Sequence, residues 1–123
     1  MKKLDTTWRI FIAYLLVILF MLLALPSNAQ ITVKYFNAEW NKSNDIDWCH
    51  TEKKGLKDCE VILYDIGEDK ESQTKYKIAV IPTIIIFKDG EEVKRFQADL
   101  SFKMVATREE IQEEIDNQLM SDF

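Results

Sequence analysis

Two thiols and one imidazole carry most of the chemistry available to this 123-residue sequence: Cys49, Cys59 and His50. An even cysteine count leaves several arrangements open. The pair forms a structural disulfide if its Cα atoms approach within about 7 Å. Otherwise the two are buried thiols, or bond to another chain. They act as a redox pair only if one becomes an accessible thiolate of lowered pKa. His50 adjoins Cys49, but neighbouring helical positions do not face one another, and a metal site needs further ligands at suitable spacing. No metal or cofactor is expected, and His50 reads as a surface or half-buried histidine. Asn41-Lys42-Ser43 matches an N-glycosylation acceptor.

The elements that must position these groups begin after a distinct N-terminal segment. Lys2, Lys3 and Arg9 precede an uncharged apolar run, Ile10 to Leu25, and Ser27-Asn28-Ala29 follows it. A basic start, an apolar centre and a small-residue exit describe a secretory signal cleaved after Ala29, or, if uncleaved, a membrane anchor through residues 10–25. Residues 30–123 form one domain. Removing residues 1–29 leaves 13 basic and 20 acidic residues, a net charge of −7. That balance argues against nucleic acid and anionic membrane surfaces as partners.

Within the domain, Ile31 to Phe36 alternates as a strand. Asn37 to Asn41 reads as a loop. Ser43 or Asn44 caps a helix that ends at Gly55, with Ile46, Cys49 and Leu56 on one face. Cys49 therefore lies some turns inside that helix, where the dipole's help to a thiolate has faded. Val61 to Tyr64 is an apolar run and a second central strand. Glu68 to Lys77 reads as a short surface helix anchored by Tyr76. Ile84-Ile85-Ile86-Phe87 is a strand buried on both faces, preceded by Pro82 and followed by a Lys88-Asp89-Gly90 turn. Val93 to Phe96 returns as an edge strand carrying Lys94 and Arg95. Thr107-Arg108-Glu109-Glu110 is a capping box opening a helix with Ile111, Ile115 and Leu119. The order is β-α-β-α-β-β-α. The fold class is α/β, a mixed four-stranded sheet flanked by helices in three layers. The first two connections, read as helical crossovers, favour parallel pairing, and the last pair is antiparallel.

Two blocks carry a resemblance to the thioredoxin family. Asp65 to Gly90, DIGEDKESQTKYKIAVIPTIIIFKDG, matches its spacing without a gap, and Ala38-Glu39-Trp40 matches the residues that precede its redox Cys-x-x-Cys. Element order extends the likeness over the whole of residues 30–123, minus the family's extra N-terminal strand and helix. The resemblance implies a cis Pro82 with Ile81 bordering an active-site groove. It also shows departures. Asn41-Lys42-Ser43-Asn44 stands where the family has its dithiol, Tyr35 where it has a buried acid, and Asn37 where it has a tryptophan. An amide neither attacks a disulfide nor resolves one.

The stretch Ala98 to Ala106 is longer than the family's turn there and carries Leu100, Phe102, Met104 and Val105. Those side chains either fold down over the sheet's end and staple Ile111, or form an apolar lip on a groove with Trp40 and Ile81. Two functions follow. One is a non-catalytic module outside the cytoplasm, periplasmic or extracellular, that holds a protein or extended peptide. Its groove would be Trp40, Asn41, Asn44, Ile81, Pro82 and Phe102. The other is a thiol–disulfide oxidoreductase acting through Cys49 and Cys59. A structural subunit is a third class, marked by a large apolar face.

Overall fold

A computed structural model of the chain describes residues 6–24, 30–50 and 55–121. Thr6–Ala24 is a helix, α1, whose side chains from Thr6 to Met21 are exposed. Among the described residues no helix is long and apolar enough to cross a membrane. The expected cleavage site at Ser27 to Ala29 lies outside the described residues.

The domain then runs through β1 (Ile31–Asn37), β2 (Glu60–Asp65), α2 (Lys70–Lys75), β3 (Thr83–Lys88), β4 (Glu91–Gln97) and α3 (Arg108–Met120). The strands form one mixed sheet in the order β2-β1-β3-β4. β1 and β2 are parallel, while β1–β3 and β3–β4 are antiparallel. Two expectations are corrected here. β3 is antiparallel to β1 rather than parallel, and β2 lies at an edge rather than at the centre. The connection between β2 and β3, with the short helix Lys70–Lys75, does not cross the sheet but turns the chain back at one end of it. Ile66 N–H bonds Asn37 O as β2 ends, and Thr83 pairs with Phe36 as β3 begins, so both lie at the same end of the sheet.

β3 is the core strand. Ile84, Ile85 and Ile86 are fully buried and point alternately to opposite faces. One face packs Ile84 and Ile86 with Val33, Tyr35, Ile111 and Ile115, bringing in α3. The other packs Ile85 with Phe36, Ile78 and Ile81. Thr107 caps α3, its hydroxyl accepting from Glu110 N–H at 3.2 Å. Asp89 and Gly90 have φ of 52° and 87°, both positive, the signature of a two-residue type I′ hairpin between β3 and β4.

The expected helix from Ser43 to Gly55 is also corrected. Glu39–Asn44 and Asp47–Cys49 are short 3₁₀ segments, and residues 51–54 lie outside the described residues. Between the segments, Asp45 and Ile46 are extended. Asn and Asp side chains compete with helical backbone bonds, and Asp45 Oδ1 takes the Ile46 N–H at 2.9 Å. Cys49 thus closes a 3₁₀ turn instead of lying inside a helix.

Candidate functional site

The site is built where β1 leaves the sheet. There Asn37 bonds Asn41 in the first 3₁₀ segment, Asn41 bonds the loop from Ala98 to Ala106 at Phe102, and Trp40 and Phe102 share a cavity wall with Ile81, whose peptide to Pro82 is cis. Pro82 O accepts Ala98 N–H at 3.0 Å, which ties that loop to the start of β3.

A chain of amides occupies the centre. Asn44 Nδ2 donates to Asn41 Oδ1 at 2.9 Å, and Asn41 Nδ2 donates to Asn37 Oδ1 at 3.1 Å and to Phe102 O at 3.2 Å. Asn37 Nδ2 reaches the Tyr35 hydroxyl at 3.1 Å. That hydroxyl donates to Asp45 Oδ1 at 2.5 Å and accepts Ile46 N–H at 3.2 Å. Asp45 Oδ2 lies 2.8 Å from His50 Nε2. Asn37 and Asn41 are buried, and among the described residues no buried side-chain polar atom lacks a partner. Burial, then the bond to Asp45, pushes the Tyr35 phenol well above its usual range. Burial works against the charged form of Asp45. The Tyr35 and Ile46 hydrogen bonds and the His50 charge outweigh it and hold the carboxyl below its usual range. The network positions backbone; it offers no poised nucleophile.

Beside it lies an apolar rim. Trp40 is 66% exposed and Phe102 40%, and their rings meet edge to face at 5.1 Å. With Ile66, Ile78, Val80 and Ile81 they line a cavity of about 100 Å³. Phe102 sits at φ 63°, a left-handed conformation costly for a bulky residue. Asn41 holds its carbonyl, and Asp99 braces the loop by accepting Ser101 and Lys103 N–H groups. The two readings of this loop divide by residue. Met104 and Ala106 turn inward against the α3 face, whereas Leu100, Phe102 and Val105 point out, Leu100 being 95% exposed.

Of the residues expected to form a groove, Trp40, Ile81 and Phe102 come together. Asn41 lies behind them, buried and bonded. Asn44 opens instead on a neighbouring cleft with Asp45, Trp48 and Met104. Pro82 is fully buried and shapes the loop from beneath. The Tyr35–Asp45–His50 cluster escaped the sequence reading, because a helix through Cys49 would have placed Asp45 and His50 on helical faces. Their type and spacing give no signal without the extended break at Asp45.

Cys49 and Cys59 are free thiols on the wall of one cavity of about 470 Å³. Burial, then the negative charge of Asp45 and Cys59, pushes the Cys49 thiol up to about 12. Burial and Asp58 push Cys59 up to about 11. Neither is the acidic thiol that disulfide exchange requires. Among the described residues no group of three or more His, Cys, Asp or Glu side chains is arranged to hold a metal ion.

No family model matches the chain. Thioredoxin Y1 of Arabidopsis thaliana, a chloroplastic protein, is 41% identical over 54 residues, covering 43% of this chain and 31% of that protein. The match thus spans about a third of the relative's length. Among solved structures, the thioredoxin of Fasciola hepatica superposes with a TM-score of 0.55 at 24% identity, over 72% of this chain and 80% of that one. A mutant thioredoxin from Halobacterium salinarum superposes at 0.54 with 17% identity, over 72% and 74%. Sheet order, cis-proline loop and these likenesses together give the chain a thioredoxin-like fold, with asparagines at 41 and 44 and no Cys-x-x-Cys in its sequence.

Proposed function

We propose that residues 30–123 are a non-catalytic binding module that holds an extended peptide or a partner protein outside the cytoplasm. The observation that carries this reading is the contact between Asn41 and Asn44. Two amides joined at 2.9 Å stand where the resemblance places a redox dithiol, and they brace an exposed Trp40–Phe102 rim. The bonds that hold the rim are made by side chains with no redox chemistry. The rim itself is an aromatic surface of the kind enriched at binding sites. The basic start and apolar run of residues 1–29 support export, and the net charge of residues 30–123 disfavours nucleic acid.

Carboxymethylated insulin B chain, an extended peptide without thiols, is the probe. Mapping amide shifts on the full-length chain in detergent should place its footprint at Trp40, Ile81 and Phe102. Trp40→Ala should weaken binding about tenfold or more, as expected of a central aromatic anchor. A footprint elsewhere, or none, contradicts the reading.

A second reading rests on the shared cavity of Cys49 and Cys59 and on the thioredoxin relatives. In it the chain is an oxidoreductase whose dithiol has moved. The raised thiol pKa values weigh against it. It predicts insulin-disulfide reduction that Cys49→Ser and Cys59→Ser each abolish.

A further inference from the structure

The two edges of the sheet are built differently. β4 carries Glu91, Glu92, Lys94 and Arg95, and its register against β3 shifts between Ile86 and Phe87. Charges and irregular pairing are the usual protections of an edge against another strand. β2 has neither. Its middle four residues, Val61-Ile62-Leu63-Tyr64, are apolar or aromatic, and its pairing with β1 runs in unbroken register from Glu60 to Asp65. Among the described residues no strand lies on its other side. All six residues are at least partly exposed, and Leu63 is 46% exposed.

The chain entering and leaving this edge is tied down. Lys57 N–H donates to Gln112 Oε1 at 2.7 Å, Gln112 Nε2 returns to Lys57 O at 3.1 Å, and Arg108 Nη1 reaches Gly55 O at 3.2 Å. Two residues of α3 therefore pin the approach to β2. Ile66 N–H bonds Asn37 O at 2.9 Å and fixes its exit. A preorganised edge loses little entropy when a strand is added.

We propose that β2 accepts a strand from a partner protein, and that the strand is an extended apolar segment flanked by Lys or Arg. The charge around the edge selects it. Asp58 and Glu60 stand at one end, Asp65 and Glu68 at the other; against these four acids stand Lys57 in the same stretch and Lys42, which shares a cleft with Leu63, Asp65 and Glu68 but sits beside Glu39. A second copy of this chain is disfavoured by the same charges. Antiparallel pairing of β2 with itself would set Glu60 opposite Asp65 at both ends, and like charges directly opposed destabilise a ladder. The edge is separate from the Trp40–Phe102 rim and does not depend on the function assigned there.

The test uses the full-length chain in detergent and two blocked hexapeptides, Lys-Val-Thr-Val-Thr-Lys and Glu-Val-Thr-Val-Thr-Glu. Backbone hydrogen exchange is read residue by residue. The lysine peptide should slow exchange at alternate amides of residues 60–65. It should bind roughly three- to tenfold more tightly than the glutamate peptide. The Glu60→Lys, Glu68→Lys double variant changes exposed residues only and should reverse that preference. Unchanged exchange in β2, equal binding of the two peptides, or a footprint at the Trp40–Phe102 rim would overturn the proposal. So would a sedimenting dimer of the chain alone whose β2 amides are already protected.

Discussion

Tyr35 links the core to the site, since its ring packs with Val33 and Ile84 while its hydroxyl serves Asp45, Asn37 and Ile46. Tyr35→Phe keeps the ring and removes three hydrogen bonds. It should cost about 1–3 kcal/mol in chemical denaturation, because Asp45 Oδ1 loses its hydroxyl donor and the buried Asn37 Nδ2 its hydroxyl acceptor. The pH dependence has two limbs of opposite origin. Asp45 is held below its unfolded value, so its contribution is complete above about pH 4 and is lost as pH falls through the folded pKa. Tyr35, Cys49 and Cys59 are pushed up, so theirs is complete below the unfolded values and is lost as pH rises past about 9. Denaturant midpoints between pH 2 and 11 should show both limbs, and Asp45→Asn should flatten the acid one and soften the alkaline one, because the Asp45 charge also raises Tyr35 and Cys49. At pH 8 the raised thiols hold little thiolate, so iodoacetamide should alkylate the native cysteines about a hundredfold slower than the denatured ones. At this scale the sequence revealed which positions had changed, Asn41 and Asn44 foremost. It did not reveal that the two amides bond each other, because that contact depends on a backbone kink at Asn41 (φ −104°, ψ 19°).

The elements were most legible where a single physical rule decides them. An isoleucine run between Pro82 and Asp89-Gly90 can only be a buried strand entering a tight turn, and β3 is that strand. Ile85→Ala should cost about 2–5 kcal/mol by leaving a cavity on the Phe36 face. Thr107→Ala should cost about 1 kcal/mol through loss of the α3 cap, with the fold intact by circular dichroism. The segment from Ser43 to Gly55 misled for an equally physical reason. Its apolar spacing fits a helix, but Asp45 takes its neighbour's N–H and the Tyr35 hydroxyl rewards the extended alternative. Tertiary contacts outweighed periodicity there. Strand direction was likewise hidden, since no motif in residues 66–82 says whether the chain crosses the sheet or turns back at the same end.

At the scale of the molecule, the chain presents three distinct surfaces: a braced aromatic rim, an unpaired β2 edge and the apolar α1. All three suit contact with other molecules, while Cys49 is buried and Cys59 only partly exposed. Function lives in the site rather than the fold, so the likeness to thioredoxins does not by itself confer their chemistry. The most direct measurement is the rate of insulin-disulfide reduction by the full-length chain with dithiothreitol as reductant, beside the Cys49→Ser, Cys59→Ser double variant. The account predicts that both proteins match the rate of dithiothreitol alone. Reduction above that rate by the native chain, lost in the double variant, would contradict the non-catalytic assignment and make Cys49 and Cys59 the working pair.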